Sequence, residues 1–127
     1  MDCFFAAVHI RDDATLTGKP VVVGGDPAGR GVVASASYEA RRFGIHSAMA
    51  SARAQRLCPT AVFLAPDFPR YQREAERVFA IYREFTPLVE TVSLDEAYLD
   101  VTDHLRAFIN ATSLAKEIRK RVRAERA

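Results

Sequence analysis

Asp95 and Glu96 are neighbouring carboxylates set among Val92, Leu94, Ala97 and Leu99. Residues 91–100 read as a strand that turns acidic in its middle, and neighbouring side chains of a strand point to opposite faces. An unpaired charge is expensive to bury. A divalent cation is one remedy, because hard oxygen ligands suit Mg2+, which takes carboxylates together with substrate phosphates. An edge strand with both acids in water, or two salt bridges, accounts for the same residues. Asp2 heads an apolar segment and is a further candidate. Two-metal phosphoryl transfer needs acids from separate segments to converge on cations ~3.5–4 Å apart. An Asp in that place is also an ordinary helix N-cap.

A second group can hold phosphate. Tyr38 and Arg41 are three residues apart on a short helical stretch and so share a face. A guanidinium offers paired donors to a phosphate and a phenol offers one more, with the Ser35 hydroxyl just upstream. An Arg resting on a surface Tyr explains the same spacing. Gly24, Gly25, Gly29 and Gly31 lack both the Walker ending and the dinucleotide spacing, and read as turn chemistry. His9, His46 and His104 are scattered without zinc-ligand spacing, and no Ser/His/Asp or Cys/His arrangement stands out.

The elements that would position these groups alternate irregularly. Residues 3–10 are apolar almost throughout, so periodicity cannot separate helix from strand there. Residues 20–25, 32–36 and 61–64 read as short strands rich in Val. Residues 38–44 form a short helix ending on a glycine. Ser51 caps another helix through Leu57, which Pro59 ends. The clearest helix is 67–85, with Phe68, Tyr71, Ala75, Val78, Phe79, Tyr82 and Phe85 on one face. A last amphipathic helix turns Leu114, Ala115, Ile118 and Val122 inward and runs to Ala127 with no stop signal, as a truncated chain would. The fold class expected is α+β: a mixed sheet with helices packed on it.

Composition narrows the classes. The 127 residues suit one domain or a piece of one, and 49% hydrophobic residues supply a core, which argues against disorder. No apolar run approaches the ~18 residues of a membrane span, and acidic Asp2 stands where a signal peptide wants positive charge. Cys3 and Cys58 have no CxxC partner, so they read as core thiols of a reducing, cytoplasmic setting. A net charge of +2 says little about partners, but Lys116, Arg119, Lys120, Arg121, Arg123 and Arg126 crowd the end of the chain. Such a cluster faces either phosphate or plain solvent.

Four ordered stretches carry a resemblance. Met1-Asp2-Cys3-Phe4-Phe5-Ala6-Ala7-Val8, Gly18-Lys19-Pro20-Val21-Val22-Val23-Gly24-Gly25, Ala36-Ser37-Tyr38-Glu39-Ala40-Arg41-Arg42-Phe43-Gly44 and Ser93-Leu94-Asp95-Glu96-Ala97-Tyr98-Leu99-Asp100 resemble the Y-family translesion DNA polymerases. Within them the nearest branch is the bacterial one with a UmuC domain. The resemblance implies a polymerase palm, a ferredoxin-like mixed sheet with packed helices, plus a small fingers subdomain, both incomplete. Residues 4–66 would be mainly fingers, and 1–3 with 67–127 partial palm.

The same resemblance implies roles. Asp95 and Glu96 would be catalytic metal ligands, for two Mg2+ ions in the intact enzyme, and the Met1 carbonyl would join the nucleotide-side metal. Backbone amides around Cys3, Phe4 and Phe5 would receive the triphosphate, and Phe5 would be the steric gate against ribonucleotides. Tyr38 and Arg41 would clamp the β- and γ-phosphates with help from Ser35. Val32 and Ala34 would lie over the templating base pair. Partners implied are primer-template DNA, deoxynucleoside triphosphates, and a sliding clamp reached through a C-terminal region outside these residues.

Some family features are missing or changed. The first Asp of the family pattern would lie immediately before Met1, and a triphosphate-binding Lys, the thumb and an extra DNA-binding domain would lie beyond Ala127. His9 stands where the family has Glu, and Ala50 where it has Pro. The chain alone is therefore expected to be inactive, or to serve as a nucleotide- or DNA-binding module. A palm-type nucleotidyl cyclase also uses strand-borne acids, but its Gly-Gly-Asp-Glu-Phe hairpin is absent.

Overall fold

The computed structural model describes residues 1–105 and 107–126. They form two compact units that divide at Phe68/Pro69. In the first, α1 (Phe4–Asp12) leads through a 3-10 turn (Ala14–Leu16) into β1 (Val21–Gly24), β2 (Val33–Ala36), α2 (Tyr38–Arg41), α3 (Ser51–Leu57) and β3 (Val62–Leu64). The sheet order is β2-β1-β3. β1 runs antiparallel to β2, with Val22 opposite Ala36 and Val23 opposite Ser35, and parallel to β3, with Val22 opposite Phe63.

Val21, Val22 and Val23 are wholly buried, as a central strand covered on both faces requires. The ambiguous apolar segment resolves as helix α1, whose inward side is Phe4, Ala6 and Val8. One hydroxyl ties β1 to α2: Ser37 Oγ accepts from the Val21 amide at 2.9 Å and caps the helix by accepting from the Ala40 amide at 3.3 Å. Gly44 then leaves the turn after α2 at φ +87°, donating its amide to the Arg41 carbonyl at 2.9 Å. The glycine cluster is packing as well as turn: a Cβ on Gly31 would lie 2.3 Å from the Gly25 carbonyl carbon.

The start of α3 departs from expectation. Ala50 occupies the N-cap and Ser51 is the first helical residue. The reason lies in the backbone, since Ala50 bridges Val32 and the Ser51 amide donates to the Gly31 carbonyl at 2.9 Å. Those bonds hold residue 50 extended, and the helix begins one place later. Ser51 Oγ is left buried without a partner among the described residues.

The second unit holds all of α4 (Phe68–Phe85) after its first residue, then β4 (Val89–Thr91), β5 (Ala97–Leu99) and α5 (Ala111–Arg126). Tyr71, Ala75, Val78, Phe79 and Ile81 are buried along α4, whereas Phe68 is exposed. Glu74 is also buried, and the reason is Arg126, whose guanidinium donates to both Glu74 carboxylate oxygens at 2.8 Å. On α5 Leu114 is buried and Ile118 and Val122 are half-buried, but Ala115 is exposed, contrary to expectation. Asn110 starts this helix, its side chain accepting from the Ser113 amide at 2.9 Å.

The strand expected over 91–100 is instead a hairpin. β4 and β5 pair antiparallel, with Val89 opposite Leu99, Glu90 opposite Tyr98 and Thr91 opposite Ala97. Residues 92–96 turn between them, because the Val92 and Ser93 amides both donate to the Glu96 carbonyl, at 2.8 and 3.3 Å. The α+β class holds.

Candidate active site

In the second unit the hairpin turn gathers three side chains. The Ser93 hydroxyl lies 3.3 Å from Asp95 Oδ1 and 3.2 Å from Glu96 Oε2. Its single proton serves one carboxylate at a time. The two acids therefore do not diverge across a strand; a tight turn points both at one hydroxyl. Asp95 is half-buried and Glu96 exposed. Tyr82 of α4 sits close enough that burial, and then the Asp95 carboxylate, push its phenol above the ordinary range.

The base of the hairpin is locked. Thr86, 1% exposed, donates its hydroxyl to the Asp100 carbonyl at 2.8 Å and accepts from the Leu88 amide at 3.1 Å. Asp100 in turn accepts from the Thr102 amide and hydroxyl, at 3.1 and 2.7 Å, and these bonds hold its carboxyl below the usual range. The sequence marks Tyr82 only as part of the apolar helix face, and it does not mark Thr86 at all. Each reads as ordinary helix-end material, and only the pairing of β4 with β5 gives them a purpose.

The hairpin carboxylates are hard oxygen donors from one turn, which suits Mg2+. Among the described residues no three His, Cys, Asp or Glu side chains gather into a closed metal cage. Asp95 and Glu96 are thus two hard oxygen donors on one turn, both within reach of the Ser93 hydroxyl. This pair fits the ion that the resemblance implies.

The first unit carries the other candidates. Asp2 is not the cap of α1; that place belongs to Cys3, in left-handed geometry at φ 40° with no side-chain cap bond. The Asp2 carboxylate instead accepts from the Tyr38 hydroxyl at 3.3 Å. The Arg41 guanidinium carbon lies 5.4 Å from the centre of the Tyr38 ring, and its Nε donates to the Ala36 carbonyl at 3.1 Å. Tyr38 and Arg41 are thereby brought together as expected, in the stacked arrangement. The Cys3 thiol joins them: burial pushes it up, and the Arg41 charge opposes that rise. The Tyr38 phenol is also raised, first by the Cys3 sulfur and then by burial and Asp2.

The remaining candidates spread out from this cluster. Ser35 Oγ is buried and accepts from the Ala6 amide in the first turn of α1 at 3.3 Å. Phe4 is buried beside Phe5, ring centres 5.9 Å apart, and Phe5 meets the edge of Phe68 at 5.8 Å. Val32 and Ala34 are both exposed on alternate positions of one extended segment. Met1 is exposed at the chain start.

The sequence profile of the impB/mucB/samB family matches residues 1–127. The chain belongs to that family. A DNA polymerase IV of Alkalilimnicola ehrlichii is 62% identical over 122 residues, which cover 96% of this chain and 34% of the relative. A DNA polymerase IV of Ralstonia nicotianae is 53% identical over 124 residues, covering 98% and 35%. The chain therefore spans about a third of the length of these curated relatives. Among solved structures, a post-insertion binary complex of Dbh DNA polymerase matches with a TM-score of 0.89 at 33% identity, over 98% of this chain and 37% of that one. DinB from Sulfolobus solfataricus matches with a TM-score of 0.84 at 31% identity, over the same shares. The Y-family resemblance read from the four motifs is borne out, with impB/mucB/samB membership and polymerase IV relatives. No helix among the described residues is long and apolar enough to cross a membrane.

Proposed function

We propose that the protein is an error-prone translesion DNA polymerase that adds deoxynucleotides to a primer opposite damaged template. The observation that carries this reading is the hairpin turn of Ser93, Asp95 and Glu96 in a chain matched to the family over all its residues. Asp95 and Glu96 would hold Mg2+, and the Met1 carbonyl would offer a further oxygen. When bound, Mg2+ would supply positive charge for the primer hydroxyl and the departing pyrophosphate. Amides around Cys3, Phe4 and Phe5 receive the triphosphate, and Tyr38 and Arg41 hold its outer phosphates.

For that, the Tyr38 hydroxyl turns from Asp2 to phosphate, while Arg41 is already aligned by its bond to Ala36. Ser35 contributes by fixing the first turn of α1, whose amides face the triphosphate. The Phe5 ring excludes a ribose 2′-hydroxyl, and the small exposed side chains of Val32 and Ala34 leave room for an altered base pair. In this reading residues 4–66 are mainly fingers and the rest partial palm. The partners are primer-template DNA, deoxynucleoside triphosphates and a sliding clamp, in the cytoplasm.

The test is primer extension across a lesion by the full-length protein with Mg2+. Loss of a metal ligand removes several kcal/mol of transition-state stabilisation, so Asp95→Ala is expected to lower the rate by about a thousandfold. A folded Asp95→Ala protein that extends as well as its parent would overturn the reading.

A further inference from the structure

The basic residues between Lys116 and Arg126 are of two kinds. Arg121 is spent on Glu84 at 2.5 Å and on Glu125 one turn away, and Arg126 on buried Glu74. Lys116, Arg119, Lys120 and Arg123 are exposed, and no carboxylate among the described residues pairs with them. With 3.6 residues per turn, these four fall within an arc of about 100° on α5. Glu117 and Glu125 lie outside it. The apolar residues Leu114, Ile118 and Val122 occupy the opposite side, where they are buried or half-buried.

Such a stripe works against its own helix. Lys116 with Lys120, and Arg119 with Arg123, are like charges four residues apart, which destabilise a helix by a few tenths of a kcal/mol each. An ordinary solvated face alternates signs to avoid this, as Arg121 with Glu125 does elsewhere on α5. A polyanion along the stripe reverses the cost. From Lys116 to Arg123 the helix rises about 10 Å, a length over which duplex DNA carries about six phosphate charges. A lipid surface suits the stripe poorly, because its exposed apolar neighbours are only Ala115 and Ala124, with no aromatic or long aliphatic side chain to enter a bilayer.

We propose that Lys116, Arg119, Lys120 and Arg123 form a docking stripe for the phosphate backbone of duplex DNA, separate from the hairpin turn. The proposal rests on the polymerase reading, since it takes the DNA to be the substrate duplex or its continuation. Contacts of this kind position the duplex without reading its sequence.

The experiment measures binding of the full-length protein to a blunt duplex across a range of NaCl concentrations. The comparison protein carries Lys116→Gln, Arg119→Gln, Lys120→Gln and Arg123→Gln, changes that keep helix propensity. Each phosphate that the variant no longer neutralises reduces the slope of log K against log salt by about 0.9, so a drop of about 3–4 is expected. Lysine acetylation gives a second readout that needs no substitution. Lys116 and Lys120 are expected to lose reactivity when the duplex is added, with Lys19, the remaining lysine of these residues, as internal reference. An unchanged slope, Lys116 and Lys120 still reactive in the DNA-bound protein, or a stripe that captures phosphatidylserine vesicles and not duplex overturns the proposal. If those results come with extension that Asp95→Ala abolishes, only the stripe falls. If the parent protein neither extends a primer nor binds duplex, the polymerase reading falls with it.

Discussion

The thiol of Cys3 is shaped by two opposed influences that can be measured at one atom. Burial disfavours the thiolate and raises the pKa, while the Arg41 guanidinium stabilises the negative form and pulls it back. The reactive species is the thiolate, so alkylation at neutral pH is expected to run slower than for an open cysteine. Removing the guanidinium takes away the force that lowers the pKa. In Arg41→Ala the midpoint of the pH–rate profile for iodoacetamide at Cys3 therefore moves to higher pH. The midpoint, and not the rate at one pH, is the quantity to read, because truncating Arg41 also widens access. A midpoint that stays or falls would show that Arg41 does not face the thiol. This pairing was only half legible in sequence. Tyr38 and Arg41 announce their shared face by spacing, but Asp2 and Cys3 meet them from 35 or more positions away, and local pattern carries no such information.

At the scale of elements, the hairpin of β4 and β5 shows why residue types were more readable than their setting. Asp95 and Glu96 stand out in sequence as a carboxylate pair that a cation or solvent could neutralise, and the resemblance is what implies phosphoryl transfer there. The turn that gathers them contains neither glycine nor proline and is closed by two amides on the Glu96 carbonyl, so it reads as continuous strand. Glu74 was illegible for a related reason: a Glu on a helix is assumed to be solvated, and its partner Arg126 is 52 residues away. By contrast, the run Val21-Val22-Val23 fixes its own burial, because only a strand covered on both faces accommodates it. Thr86 anchors the hairpin to the end of α4 through bonds to the Asp100 carbonyl and the Leu88 amide. Thr86→Val keeps the volume and leaves both backbone groups short of a partner. Its expected cost is about 2 kcal/mol, seen as a lower denaturant midpoint at unchanged m-value. An unchanged midpoint would mean that water replaces the hydroxyl at no cost.

For the molecule as a whole, two compact units each hold part of the proposed machinery: the Tyr38–Arg41 group in the first, and the Asp95–Glu96 turn in the second. Two-metal transfer needs carboxylates from separate segments of chain, and among the described residues no three candidate ligands form a cluster. The polymerase relatives are about three times as long as this chain. On the proposed function, the 127 residues taken alone are expected not to extend a primer, and the full-length protein is expected to do so. The comparison is made with one primed template, equal concentrations and saturating Mg2+, and each protein is first checked for cooperative unfolding. Because loss of a metal ligand is worth several kcal/mol, a difference above about a thousandfold is expected. Weak extension by the 127-residue chain decides the matter only through its Asp95→Ala variant. If that substitution abolishes the weak activity, ligands within these 127 residues suffice, and the need for protein ligands outside them is refuted. If it does not, the extension belongs to a contaminating polymerase.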